Sequence, residues 1–205
     1  MLYLEAVYPS TLDLLKKIMA IPELSDFYLA GGTALALQIG HRVSVDLDLF
    51  GKTDIDFGEV LELLSPISSP VMMSQSKSVL VLNISGVKVD FVKYKYELLS
   101  PIKIHDKIRL CSIPDIAAMK LAAIAGRGKK RDFYDIFFLL QQFNLKKLIE
   151  FYNQKYPDGS EFIVVKSLSY FEDAEGDEEP ELLINTDWNS IKRFISQEVR
   201  ATFGN

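Results

Sequence analysis

A single cysteine, Cys111, in a chain of 205 residues rules out an intramolecular disulfide framework and suits a reducing compartment. Cys111 reads more simply as a small core residue than as a nucleophile. Histidine is nearly as scarce: His41 and His105 share no metal-ligand spacing, so a histidine metal site is not expected. No apolar run approaches the roughly 20 residues that cross a bilayer. The opening residues Met1, Leu2, Tyr3, Leu4 and Glu5 lack the basic start and apolar stretch of a secretion signal. Repeats and low-complexity tracts are missing as well. Together these absences lead to the expectation of a cytoplasmic protein with no membrane partner.

What is present suits a globular chain. Hydrophobic residues make up 48% and charged residues 25%, enough for a real core. The length allows one ordinary domain, or a small core with an appended helical lobe. The net charge of -5 argues against non-specific nucleic-acid binding from bulk electrostatics. The charges are uneven, however. Arg127, Lys129, Lys130 and Arg131 form a basic cluster, and residues 172–181 are strongly acidic. The cluster reads either as a solvated loop or as a grip for phosphates, with the acidic tail repelling them.

The pattern along the chain is an α+β core followed by helices. Ser10 marks a helix start, and 27–30 reads as a short buried strand stopped by Gly31-Gly32. Residues 33–39 form a compact helix ended by Gly40. Residues 43–50 alternate as a strand, and 56–64 suit a helix before a Ser/Pro-rich loop. Residues 78–84 and 87–94, split by Ser85-Gly86, give a hairpin signal. Beyond Pro101 the character turns helical: Ser112 caps a helix with Pro114 in its first turn. Further helices are expected over 132–143, 145–156, 162–171 and 189–203. The seam near Pro101 divides the chain into 1–100 and 101–205.

Asp46 and Asp48 stand two apart on the predicted strand, so their carboxylates share a face, with Val45, Leu47 and Leu49 turned into apolar packing. Adjacent carboxylates repel, and a hard divalent cation with oxygen ligands relieves that repulsion. Taken alone, such a pair also fits a solvated strand edge. Its neighbours sharpen the reading. Gly31-Gly32-Thr33 lies between a strand and a helix N-terminus, where backbone N–H groups can cradle a phosphate. The Thr33 hydroxyl can donate to a phosphate or cap the helix.

Lys88 and Asp90 share one face of the later strand. If that strand lies beside the first, three carboxylates converge, enough for two magnesium ions. Asp90 would bind the activating metal or accept the hydroxyl proton; otherwise Lys88 and Asp90 form an ion pair of little worth when exposed. Arg42 and Ser44 precede the aspartates in a turn, Arg42 suiting either phosphate or a metal-site carboxylate.

These residues resemble a known family. Gly31-Gly32-Thr33, the run from His41 through Asp46-Leu47-Asp48 to Phe50, and Lys88-Val89-Asp90-Phe91 are similar to the AbiEii/AbiGii nucleotidyltransferase toxins. Those belong to the DNA polymerase β-like nucleotidyltransferases. The likeness continues through Ala118-Met119-Lys120-Leu121 and Arg127-Gly128-Lys129-Lys130-Arg131-Asp132 to Asp135-Ile136, and extends weakly into 168–175. The resemblance implies a five-stranded or similar mixed sheet flanked by helices, with a helical C-terminal half closing the nucleotide cleft. It implies that Asp46, Asp48 and Asp90 are catalytic metal ligands for Mg2+, two ions during turnover. Gly31, Gly32, Thr33, Arg42, Ser44, Lys120 and Asp135 fall to the nucleotide.

Lys120 lies in an apolar helix and either snorkels to solvent or meets an anion such as the triphosphate. Asp135 is satisfied by Arg131, by Lys120, or by a role at the nucleotide. The expected activity is transfer of a nucleoside monophosphate from an NTP to an acceptor hydroxyl. Some members of the family act as toxins on the tRNA 3′ end, which makes RNA the expected acceptor and a cognate antitoxin an expected partner. The alternatives are phosphoryl transfer to a protein hydroxyl, and a non-catalytic NTP-binding or partner-binding module.

Overall fold

The computed structural model describes residues 1–52 and 56–204. They form two compact units: Met1–Tyr96 with Pro101–Cys111, and Glu97–Ser100 with Ser112–Asn205.

The first unit is built on one mixed sheet. Its strands are β1 (Tyr28–Leu29), β2 (Leu47–Gly51), β3 (Val71–Gln75), β4 (Val79–Ile84), β5 (Val87–Lys93), β6 (Lys103–His105) and β7 (Ile108–Leu110). Their order across the sheet is β3-β4-β5-β2-β1-β7-β6. β2 runs parallel to β5 and β1 parallel to β7; the other pairings are antiparallel. The helices of this unit are α1 (Pro9–Met19), α2 (Gly31–Ile39) and α3 (Phe57–Leu64).

Period-two alternation fixes the centre of this sheet. Leu47 and Leu49 on β2, Val89 and Phe91 on β5, and Leu80 and Leu82 on β4 are all fully buried. The register sets Leu49 and Leu80 on either side of Phe91, and Leu47 and Leu82 on either side of Val89. One apolar face results, each of these side chains worth about 1.5–3 kcal/mol of burial. The β4–β5 hairpin closes through Ser85 and Gly86, both at positive φ (53° and 87°) as a two-residue turn requires.

Three expectations need correction. The predicted strand over 43–50 begins only at Leu47, and Val45 is exposed instead of packed. The chain does not turn wholly helical at Pro101, because β6 and β7 follow it. Their turn places Asp106 and Lys107 at positive φ without glycine, so the usual signal was missing. β3 also went unread: every residue of this edge strand is exposed, so no buried-face alternation marks it. Its Val71, Met72 and Met73 lie on the surface.

The second unit is helical: α4 (Ile113–Gly126), α5 (Lys130–Leu140), α6 (Leu145–Lys155), α7 (Glu161–Ser167), α8 (Glu172–Glu175) and α9 (Trp188–Phe203). Ser112 caps α4, its hydroxyl accepting from the Asp115 amide at 3.2 Å. Asn144 caps α6 in the same way. Around α4 pack α5, α6 and α7.

A buried ion pair locks α4 to α6. Lys155 Nζ meets Asp115 Oδ1 at 2.7 Å with both side chains wholly excluded from solvent. Asp115 also accepts from the Leu99 and Ser100 amides and the Ser112 hydroxyl, while Lys155 donates to the Glu97 carbonyl. These bonds draw the segment Glu97–Ser100 into the helical unit, although sheet residues flank it on both sides. Lys155→Met would leave Asp115 buried without its cation, so it should destabilise the fold by about 3–5 kcal/mol. A urea titration should show this as a lower midpoint at unchanged slope.

Candidate functional site

The glycine turn is placed by strand pairing. β1 lies antiparallel to β2, Leu29 opposite Leu49, and the Ala30 amide donates to the Asp48 carbonyl at 2.8 Å. The chain then turns at Gly31, with φ +64°, and enters α2 directly beside Asp48. A Cβ at position 31 would collide with the Asp48 carboxylate. Glycine is required there twice over, by the left-handed backbone and by this approach.

Thr33 does not cap α2. Its hydroxyl donates to the Asp46 carbonyl and lies 2.8 Å from the Ser44 hydroxyl, in full burial. Thr33 and Ser44 therefore pin the segment leading to the aspartates against the helix. Arg42 is buried too: its Nη1 donates to the Val43 carbonyl at 3.0 Å, and a Cβ on Gly32 would strike its guanidinium.

Asp46 stands just before β2 and Asp48 within it, both half-buried. Parallel pairing of β2 with β5 sets Asp48 directly beside Asp90. Carboxylates on neighbouring strands about 4.8 Å apart repel. Lys88 answers this for one of them, its Nζ 2.5 Å from Asp90 Oδ2. Asp90 Oδ1 is buried without a hydrogen-bond partner.

Among the described residues no three His, Cys, Asp or Glu side chains are gathered closely enough to hold a metal ion as the chain stands. The donor chemistry nevertheless suits a hard divalent cation. Two carboxylates are in register, one inner oxygen is unsatisfied, and an ammonium already stands on the outer one.

The residues expected farther along gather in the helical unit. Lys120 is buried on α4, its Nζ 2.7 Å from Asp132 and 2.5 Å from Asp135, both on α5. Arg127 adds a forked contact to Asp132, at 2.9 and 3.1 Å. Of the options open to Lys120, meeting an anion is what the structure shows, and the anions are the protein's own. Burial pushes the Asp132 carboxyl up, but attraction to Lys120 and then Arg127 outweighs it and holds the group below its ordinary value.

The basic cluster was expected either to lie in solvent or to grip phosphates, with the acidic tail repelling them. Arg127, Lys129 and Arg131 are exposed, in line with the first option, while the acidic stretch folds onto the two lysines. Lys129 pairs with Asp177 at 3.0 Å, and Lys130, itself buried, reaches Glu179 at 3.3 Å and the Glu175 carbonyl. The Lys130 amide also donates to Asp177. Phe133, Tyr134 and Phe171 close around Trp188 beneath these pairs. The signal for this in the sequence is the complementary charge of 172–181 and the basic cluster.

A mixed sheet whose glycine turn opens a helix against aspartates on adjacent parallel strands is the framework of a nucleotidyltransferase. The chain belongs to the AbiEii nucleotidyltransferase toxin family of type IV toxin–antitoxin systems, whose model matches residues 13–98 and 87–204. An uncharacterised protein of Aquifex aeolicus (strain VF5) is 38% identical over 194 residues, covering 92% of this chain and 93% of its own. Two solved structures share the fold. JHP933 from Helicobacter pylori aligns with a TM-score of 0.59 at 20% identity, over 98% of this chain and 93% of its own. The nucleotidyltransferase toxin MenT4 of Mycobacterium tuberculosis H37Rv aligns with a TM-score of 0.56 at 17% identity, over 92% and 82%. The chain is thus an enzyme, a nucleotidyltransferase, and enzymes of this kind generally use a divalent metal. Among the described residues no helix is long and apolar enough to cross a membrane.

Two outcomes follow for stability. Gly31→Ala should lower stability by at least about 1–2 kcal/mol from the left-handed backbone alone. Gly126→Ala, where a Cβ meets open space, should show no such loss in the same thermal unfolding experiment. Asp132 contributes stability that is complete above the unfolded carboxyl value of about 3.9. That contribution disappears as pH falls through the lower folded value. The stability gap between the wild type and Asp132→Asn should therefore close on acidification below about pH 4 in a series of urea titrations.

Proposed function

We propose that this chain moves a nucleoside monophosphate from an NTP to an acceptor hydroxyl, with Mg2+ as its metal and pyrophosphate as the leaving group. The observation that carries the reading is the placement of Asp48 beside Asp90, immediately against the Gly31 turn. Asp46, Asp48 and Asp90 are the residues that would hold the metal. When bound, the metal would neutralise charge on the triphosphate and favour the ionised acceptor hydroxyl.

The rest falls to the chain itself. Backbone N–H groups at the start of α2, around Gly31 and Gly32, face the triphosphate and offset its charge. Thr33 and Ser44 act one step back, holding the Asp46 segment in place. The buried Arg42 guanidinium, against Gly32, adds positive charge beneath the turn. The acceptor oxygen attacks the α-phosphorus as the bond to pyrophosphate breaks, and the hydroxyl proton passes to a carboxylate, for which Asp90 Oδ1 is the unsatisfied acceptor. Within the helical unit Lys120 and Asp135 form a neutralised pair set by α4 and α5, so any role of theirs would not be that of a bare cation.

The acceptor we propose is RNA, such as the tRNA 3′ end, with the enzyme acting as the toxin of a pair and a cognate antitoxin as its partner. Family membership supports this reading; the basic cluster does not add to it, since Lys129 and Lys130 are engaged by Asp177 and Glu179.

The test is incubation of the purified protein with magnesium, each labelled NTP, and total tRNA or protein extract. The wild type should label tRNA, with an added mass of one nucleotide. Asp48→Asn and Asp90→Asn should lose roughly 10²-fold or more of the rate while keeping the wild-type unfolding temperature. Addition of a single phosphate to a protein would overturn the reading in favour of phosphoryl transfer, and nucleotide binding without any turnover would leave a binding module.

A further inference from the structure

Lys88 and Asp90 leave the same face of β5, and their contact at 2.5 Å is asymmetric in its surroundings. The lysine side chain is 40% exposed and the aspartate 17%. The ammonium therefore reaches in from solvent and covers Oδ2, while Oδ1 stays buried and unbonded. Asp48 stands in register on the neighbouring strand. Two adjacent carboxylates would repel in the resting chain if nothing positive lay beside them.

Resting on the proposed reading that Asp90 is a metal ligand, we propose that Lys88 is a positioning residue that acts as a resident stand-in cation. Its ammonium occupies the charge position on Asp90 that a divalent ion takes, and metal binding displaces it. The chemistry suits the exchange. An ammonium is a compact charge on a flexible four-carbon stem, and a half-exposed stem can withdraw to water at little cost. An ion pair this close to solvent is weak enough to yield to a divalent ion held by two carboxylates. Lys88 holds the Asp90 carboxylate in place until a metal binds, at the expense of some metal affinity.

The test measures metal binding on the full chain without any turnover, using Mn2+ followed by electron paramagnetic resonance and by calorimetry. Lys88→Met should bind Mn2+ roughly two- to fivefold more tightly than the wild type, and Lys88→Arg, which keeps the cation, should stay with the wild type. Equal or weaker binding by Lys88→Met overturns the proposal. A second readout needs no variant: acetylation of Lys88 by acetic anhydride, quantified by mass spectrometry, should rise when Mn2+ is added to the wild type. Unchanged labelling overturns the proposal even if Lys88→Met fails to fold. Asp48→Asn separates the two levels of the argument. If wild-type binding is absent, or persists undiminished in Asp48→Asn, the metal-site reading itself fails. If binding depends on Asp48 while neither Lys88 readout moves, the stand-in role alone fails.

Discussion

The parallel register of β2 on β5 is the constraint from which the rest of the sheet unit follows. It sets Leu47 against Val89 and Leu49 against Phe91, so the apolar sides of both strands meet one core. By the same alternation Asp48 and Asp90 fall side by side on the opposite face. A slip of either strand by one residue would drive its own carboxylate into that core, an outcome far costlier than any loop adjustment. The placement of the acidic pair is thus enforced by leucine, valine and phenylalanine packing, against the repulsion between the two carboxylates. Gly31 extends the constraint to a third element, because α2 can begin this close to Asp48 only where no Cβ intervenes.

Charge compensation takes three forms in this chain, and the differences track burial. Asp115 and Lys155 are sealed from water, and every further oxygen of Asp115 is met by an amide or hydroxyl. Asp132 and Asp135 are equally buried but share Lys120, with the half-exposed Arg127 supplying the second positive charge. Asp90 is treated otherwise: it has one cation, on its outer oxygen, and an inner oxygen left bare. In the two helical cases each carboxylate is met by a cation, which ties α4 to its neighbouring helices. The inner oxygen of Asp90 is instead left without a partner, on a strand held by the packing beneath it.

Much of this architecture is legible from local chemistry. The Ser85-Gly86 dipeptide between alternating runs announces the β4–β5 hairpin, and Ser112 with Pro114 announces α4. The glycine turn opening a helix and the Asp46–Asp48 pair at the start of a strand are legible in the same way. The adjacency of Asp48 and Asp90 is another matter, because spacing along a chain says nothing about which distant strands pair. Only the family resemblance suggested it. Two kinds of element are hard to read: β3 has no buried face and carries three exposed apolar residues, while β7, buried at Ile108 and Leu110, is three residues long and joined to β6 by a turn that lacks glycine. Asp115 and Lys155 were unreadable as a pair for the same reason as the two aspartates.

The acidic stretch shows why net charge is a poor guide to surface chemistry. A chain with net charge -5 and a local basic cluster suggests two opposed surfaces, one repelling phosphate and one attracting it. Folding brings them together instead. Asp177 and Glu179 settle on Lys129 and Lys130, while Glu175 binds the Trp188 indole N–H and Lys192. Both lysines 130 and 192 lie over the Trp188 ring, at 5.5 Å from its centre. The aromatic platform therefore organises the charges as much as the charges organise each other. Lys130, buried between that ring and two acidic partners, has no spare capacity for a phosphate. Of the basic cluster, Arg127, Lys129 and Arg131 remain exposed, while Lys130 is withdrawn into the fold.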